Sequence, residues 1–308
     1  MPPPIAGPPP PTRIGPVTFR WGERTFVMGI LNVTPDSFSG DGMLTGADGK
    51  VDPGDAVALA QGMVDAGAAL LDIGGESTRP GHAPVDAEAE RSRVVPVIAA
   101  IRAALPGTPL SIDTTKPAVA EAALAAGADL INDVWGTGTD DTMARVAAAH
   151  GVPLVVMHNR AEPIYRSLVA EVLSDLERAL ERAVAAGVPE GDLIVDPGIG
   201  FGKTADQNVA LLRELEALRV LGRPILLGTS RKSTIGRILD LPADERSEGT
   251  LATTALGIAA GVDLVRVHDV RANVRAARVS DAIVRGTWRA PEPSTASLPA
   301  DATTGGAR

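Results

Sequence analysis

The chain has no cysteine, which excludes disulfides, thiol catalysis and a cysteine-ligated zinc site. Histidine is scarce as well. Four residues in 308, at no metal-ligand spacing, argue against zinc held by His158 and His268. Aromatic residues make up only 3%, too few for the platforms on which barrel glycosidases seat sugar rings. Basic residues are outnumbered 29 to 38, and the net charge of -9 disfavours non-specific nucleic-acid binding. No apolar run approaches the roughly 18–20 residues of a membrane span, and no basic-then-apolar signal opens the chain. The expectation is a cytoplasmic protein with no nucleic-acid partner and no membrane partner.

What the chain does have is a 44% hydrophobic content, enough for a large core, arranged in short runs that stop on polar residues. Phe26–Leu31 stops at Asn32, Pro109–Ile112 at Asp113, Leu130–Ile131 at Asn132 and Asp133, and Leu193–Val195 at Asp196. Ile225–Leu227 leads into Gly228-Thr229-Ser230-Arg231-Lys232, and Leu264–Val267 brackets Arg266 and ends at His268. Strands apolar on both faces and polar at their C-terminal ends suit a parallel barrel, whose active sites gather at that rim.

The rest of the chain fits one such domain. Residues 1–16 are crowded with proline and read as a disordered head, and 289–308, rich in Pro, Ser, Thr and Gly, as a disordered tail. Between them, 17–288 reads as a single (β/α)8 TIM barrel. It is entered by a short β-hairpin in which Val17–Arg20 and Thr25–Val27 flank Trp21-Gly22-Glu23-Arg24. Helical spacing over Asp55–Ala66, Asp86–Leu105, Pro117–Ala126, Asp141–Ala149, Leu168–Ala186, Ala205–Arg219, Glu248–Ala260 and Val270–Arg285 separates the strands. The phrases Ala66-Gly67-Ala68, Ala126-Gly127-Ala128, Ala186-Gly187-Val188 and Ala260-Gly261-Val262 recur before strands and read as repeated helix-to-strand turns.

Asp113, Asn132 and Asp196 could each cap a helix, and Asp113 suits that role because Pro117 soon opens one. Three such groups at three strand ends fit better as acceptors and donors around a planar, nitrogen-rich ring, since a carboxylate can accept two N–H bonds side by side. Asp113 and Asp196 as a glycosidase acid and base is the competing reading, and the aromatic poverty speaks against it. Gly198-Ile199-Gly200-Phe201-Gly202-Lys203-Thr204 approaches a phosphate loop, but three residues separate the outer glycines where the pattern needs four. It reads instead as a turn giving close backbone approach, with Phe201 stacking under a ligand. The loop at Gly228–Gly236 is either a solvated basic loop or an anion site, with Lys232 a compact charge and Ser230 a carboxylate partner. Arg266 and His268 fall on one side of their strand by period-two alternation, which suits a phosphate or diphosphate. The loops 32–42 and 75–81 follow early strands at the same rim.

Taken in order, Gly29–Ser39, Asp72–Gly81, Ser111–Thr114, Ile131–Val134, Asp196–Thr204 and Ser230–Ser233 resemble dihydropteroate synthase from about Phe26 to Arg285. The resemblance implies condensation of 6-hydroxymethyl-7,8-dihydropterin diphosphate with 4-aminobenzoate in folate synthesis, with sulfonamides competing for the aminobenzoate pocket. It implies a pterin pocket of Asp113, Asn132, Met157, Asp196, Phe201, Gly228 and Lys232. A diphosphate site of Asn32, Thr78, Arg79, Arg266 and His268 follows, with Asn32 also a ligand to Mg2+. Phe38, Pro80 and Ser230 surround the aminobenzoate, and Asp36, Arg79 and Lys232 are the catalytic candidates. A homodimer is implied too. Ser39-Gly40-Asp41-Gly42 departs from the family's usual Ser-Asp-Gly-Gly, and His158-Asn159-Arg160 from its usual fifth-strand sequence. A pterin-binding methyltransferase barrel and a non-catalytic pterin-binding homologue are the rival readings.

Overall fold

The computed structural model describes residues 7–34, 51–76, 85–136 and 140–289. Two short strands come first, β1 (Thr12–Ile14) and β2 (Val17–Phe19), paired antiparallel around Gly15 and Pro16. The hairpin therefore turns earlier than the expected Trp21–Arg24, and it draws Thr12–Ile14 out of the segment expected to be disordered. Burial is the reason. Ile14 and Phe19 are inaccessible, and Trp21 donates its indole proton to the Thr12 hydroxyl at 2.9 Å. Proline density hides this anchoring in the sequence.

Eight parallel strands follow: β3 (Phe26–Asn32), β4 (Leu70–Gly74), β5 (Leu110–Asp113), β6 (Leu130–Asp133), β7 (Leu154–Met157), β8 (Leu193–Asp196), β9 (Leu226–Leu227) and β10 (Leu264–Val267). Their spatial order is β8-β7-β6-β5-β4-β3-β10-β9. A parallel bridge from Val195 to Ile225 joins β8 to β9 and closes the ring as the expected barrel.

Around it lie α1 (Pro53–Asp65), α2 (Ala87–Ala104), α3 (Pro117–Ala125), α4 (Thr142–His150), α5 (Leu168–Ala185), α6 (Ala205–Arg213), α7 (Ser233–Leu239), α8 (Ser247–Ala259) and α9 (Val270–Val284). Their starts are written locally. Asp52 and Asp86 accept the backbone N–H groups of Gly54 and Ala89, and Thr204 with Gln207 forms a capping box on α6. Two expectations need correcting. The Gly228–Gly236 loop turns into α7, and α6 ends at Arg213 because Glu214 leaves helical dihedrals. The four repeated turns hold. Gly67, Gly127, Gly187 and Gly261 sit at φ between 95° and 113°, a region open to glycine.

Alternation sorts the strand residues into two cores. Met28, Leu70, Leu130, Val155, Ile194, Leu226 and Leu264 point inward and pack with Ile14, Phe19, Trp21 and Phe26. The hairpin thus plugs the N-terminal end of the barrel. Leu31, Leu71, Ile73, Ile112, Ile131, Val195 and Val265 point outward and pack under the helices. Continuing the inward register toward the strand C-termini brings Asp72, Ser111, Asp113, Asn132, Asp196 and Arg266 into the lumen.

Candidate active site

The inward polar residues meet. Arg266 donates from Nε to Asp72 Oδ2 at 2.5 Å and from Nη2 to Asp113 Oδ2 at 2.6 Å. Asn132 donates from Nδ2 to the same Asp72 oxygen at 3.0 Å. Strand pairing sets Asp113 beside Asn132 and Met157 beside Asp196. All four carboxylate and amide side chains are buried, with Asp72 wholly inaccessible.

On the other side of the lumen, Asp196 accepts the Gly198 N–H through Oδ1 at 2.7 Å. A methyl group on Gly228 would sit 3.7 Å from Asp196 Oδ2 and 3.9 Å from Lys232 Nζ, so this glycine keeps the space beside both charges open. Lys232 donates to the Ile199 carbonyl and places its ammonium 4.5 Å from the centre of the Phe201 ring. His268 meets Ser230, whose hydroxyl accepts the His268 backbone N–H at 3.1 Å and lies 2.9 Å from Nδ1.

The electrostatics follow from burial. Desolvation, against the pull of Arg266 and with Asp72 adding repulsion, pushes the Asp113 carboxyl up to about 7. Asp196 is raised by burial too, with Lys232 opposing. Burial pulls Lys232 down to about 8, resisted by Asp196. Burial works against the Arg266 charge, but Asp72 and Asp113 more than offset it and hold the guanidinium charged. Two buried carboxylate oxygens, Asp72 Oδ1 and Asp113 Oδ1, have no hydrogen-bond partner among the described residues. Unmet acceptors of this kind invite a donor-rich ligand.

The structure thus gathers Asp113, Asn132, Met157, Asp196, Phe201, Gly228, Lys232, Ser230, Arg266 and His268 at one end of the barrel. Asn32 ends β3 at that rim. Asp36, Phe38, Thr78, Arg79 and Pro80 lie outside the described residues. Among the described residues, no group of three or more His, Asp or Glu side chains could cage a metal. A cavity of about 720 Å3 lies instead at the plugged end, lined by Pro8–Pro11, Trp21, Arg223 and Arg285. Volume alone would misplace the chemistry, since none of the converging charges lines that cavity.

Four residues were not singled out from the sequence. Asp72 carries a visible signal, the inward parity it shares with Leu70. Glu90 and Lys116 do not. Lys116 bridges Glu76 and, at 2.6 Å, the inaccessible Glu90, tying the start of the 77–84 connection to α2. Lys203, set aside with the failed phosphate-loop pattern, is half-buried beneath the turn at Gly198–Gly202.

A family model described as pterin binding enzyme matches residues 28–268. The dihydropteroate synthase of Clostridium beijerinckii is 52% identical over 274 residues, spanning 89% of this chain and 99% of that protein. That of Bacillus subtilis is 53% identical over 270 residues, spanning 87% and 92%. Among solved structures, the Clostridium difficile dihydropteroate synthase with pteroic acid superposes with a TM-score of 0.81 at 47% identity, covering 87% of this chain and 99% of that one. The Xanthomonas albilineans dihydropteroate synthase with 4-aminobenzoic acid gives 0.79 at 42% identity, covering 87% and 94%.

Proposed function

The chain belongs to the dihydropteroate synthases among the pterin-binding enzymes, and we propose that the charged cluster at its barrel mouth is where the two substrates react. The reaction condenses 6-hydroxymethyl-7,8-dihydropterin diphosphate with 4-aminobenzoate to give 7,8-dihydropteroate and diphosphate, a step of folate synthesis. The observation that carries the residue assignments is the buried trio Asp113, Asn132 and Asp196, brought from the ends of β5, β6 and β8 into one lumen, with Lys232 facing Asp196 from the start of α7.

In this reading the amino-pyrimidine edge donates side by side to the Asp196 carboxylate, to Oδ2 and to the second lone pair of Oδ1, with Asn132 and Lys232 meeting the ring's other polar atoms. Phe201 and Met157 supply the apolar walls. The bond between the exocyclic methylene carbon and the diphosphate oxygen breaks, and its electron pair leaves with diphosphate. The positive charge left on carbon is spread into the ring, and the ionised Asp113 stabilises it. The aminobenzoate nitrogen then forms the new C–N bond and gives up a proton to solvent. Positioning suffices for this aromatic amine.

Thr78, Arg79, Arg266 and His268 are assigned to the diphosphate, with His268 oriented by Ser230. Phe38, Pro80 and Ser230 are assigned to the aminobenzoate surround, where sulfonamides would compete, and Asp36 to loop closure. Mg2+ would neutralise charge on the leaving group. Asn32 would hold it as a single neutral ligand, a donor set suited to an ion carried mainly by phosphate and water oxygens. A diphosphate-bearing substrate does not cross a membrane unaided, which supports a cytoplasmic reaction; among the described residues no helix is long and apolar enough to cross a membrane. A homodimer is supported by Leu256 on α8 and Val279 and Ile283 on α9, 61% to 77% exposed on adjacent helices.

The test is a diphosphate-release assay. Release that needs both aminobenzoate and Mg2+, and that stops with EDTA, is the expected result. Methyl transfer to a corrinoid without release would reject it, and so would tight pterin binding with no turnover at saturating aminobenzoate. Arg79→Ala is expected to lower kcat by about 10²-fold, the scale seen when one electrostatic donor to a transition state is removed, with smaller change in pterin KM.

A further inference from the structure

The turn Gly198–Gly202 bears Phe201 and the Ile199 carbonyl that holds Lys232, yet its backbone has little rigidity of its own. Gly198, Gly200 and Gly202 all have φ between 54° and 86°. Side chains there are sterically barred: a Cβ on Gly198 would lie 1.8 Å from the His158 carbonyl, and one on Gly202 2.3 Å from that of Arg160. Glycine gives this turn its path and leaves it entropically free, so its geometry has to be imposed from below.

Lys203 does that in its protonated form, although burial, opposed by Asp196, pulls the ammonium down to about 7. Its ammonium donates to the Gly198 carbonyl at 3.0 Å, to the Phe201 carbonyl at 3.1 Å, and to His158 Nδ1 at 2.9 Å. For Nδ1 to accept, His158 must carry its proton on Nε2, which faces Asp175 Oδ2 at 3.2 Å. Asp175 is fixed in turn by Arg160, whose Nε reaches Oδ2 at 2.8 Å. Burial, reinforced by the Lys203 charge, drops His158 to about 4, so the ring is neutral. Tyr165 adds a bond to the Gly202 carbonyl at 2.8 Å, and Asn208 Oδ1 accepts the Gly200 N–H at 2.8 Å.

We propose that Lys203, oriented by His158 and Asp175, is a positioning residue that shapes the pterin face of the site and so sets affinity for a flat, bicyclic heterocycle. It touches no substrate atom. It acts through the turn, holding Phe201 and, through the Ile199 carbonyl, the Lys232 ammonium in register with Asp196. This deepens the assignment of Asp196, Phe201 and Lys232 to the pterin and rests on that assignment.

The prediction is selective. Lys203→Met should raise the KM for the pterin diphosphate and the Kd for 7,8-dihydropterin alone by about tenfold, the loss of charge-assisted bonds to two carbonyls. The aminobenzoate KM at saturating pterin should stay within about twofold, and Lys203→Arg should recover part of the loss. Equal loss of both substrates would mean a general structural role and would overturn the proposal. Asp196→Asn measured alongside separates the two readings. If it weakens dihydropterin binding while Lys203→Met does not, positioning by Lys203 is wrong and the pocket stands; if neither does, the pocket assignment itself fails. Should Lys203→Met not fold, nitrogen-15 NMR of the wild-type histidines still decides. A neutral His158 protonated on Nε2 at pH 7 is required, and an Nδ1–H tautomer refutes the proposal.

Discussion

Replacing Asp196 with asparagine is expected to raise the KM for the pterin diphosphate by about 100-fold, a loss of roughly 3 kcal/mol. The aminobenzoate KM at saturating pterin should change by no more than about twofold. The size follows from atom placement. Asp196 Oδ1 is committed to the Gly198 N–H at 2.7 Å, so the asparagine oxygen must take that place. Its amide nitrogen then faces the open space beside Gly228, where a substrate edge that also donates would meet a donor. The substitution also strips Lys232 of its buried counter-charge. Steady-state diphosphate release checks the result, and an unchanged pterin KM would remove Asp196 from the pocket.

A second large effect belongs to Arg266. It bridges Asp72 and Asp113 at 2.5 and 2.6 Å, so Arg266→Met leaves two buried carboxylates facing one another. Removing one partner of a buried charge cluster costs about 3–5 kcal/mol, which in a chain of this size lowers Tm by about 10 °C. The sign with pH is fixed by Asp113, whose folded-state carboxyl is already raised to about 7 by burial. A carboxyl raised above its unfolded value favours the fold when protonated, and that contribution is lost as pH rises through the folded value. The variant's deficit should therefore be larger at pH 8 than at pH 6, and equal deficits at the two values would contradict the pairing. In the proposed reaction the same carboxyl acts in its ionised form. In the wild type, kcat/KM for the pterin substrate should fall below about pH 7 as Asp113 protonates. In Arg266→Met, without the guanidinium that lowers Asp113, the limb should move to higher pH.

Much of this was legible because a barrel strand encodes its interior by parity. Asp113, Asn132 and Asp196 close apolar runs, and closing a run on an inward position places a side chain in the lumen. Asp72 was equally readable by that rule, two residues beyond Leu70, but it sits inside its strand and not at the end. The hairpin was legible in kind and wrong in place, because the eight prolines of residues 1–16 mask the burial of Ile14. The Lys116 bridge from Glu76 to Glu90 and the Lys203 contact with His158 span 26 to 45 positions. No local spacing announces such pairs. They come from neighbouring strands and helices meeting only after the ring closes.

The central claim is that this one lumen, and not the cavity at the plugged end, receives the heterocycle. A crystal structure with 7,8-dihydropterin tests it most directly. The ring should lie against Phe201, with its amino-pyrimidine edge about 3 Å from Asp196 Oδ2 and within hydrogen-bond reach of Asn132 and Lys232. A ring bound beside Trp21 and Arg223, with Asp196 and Lys232 untouched, would contradict the account.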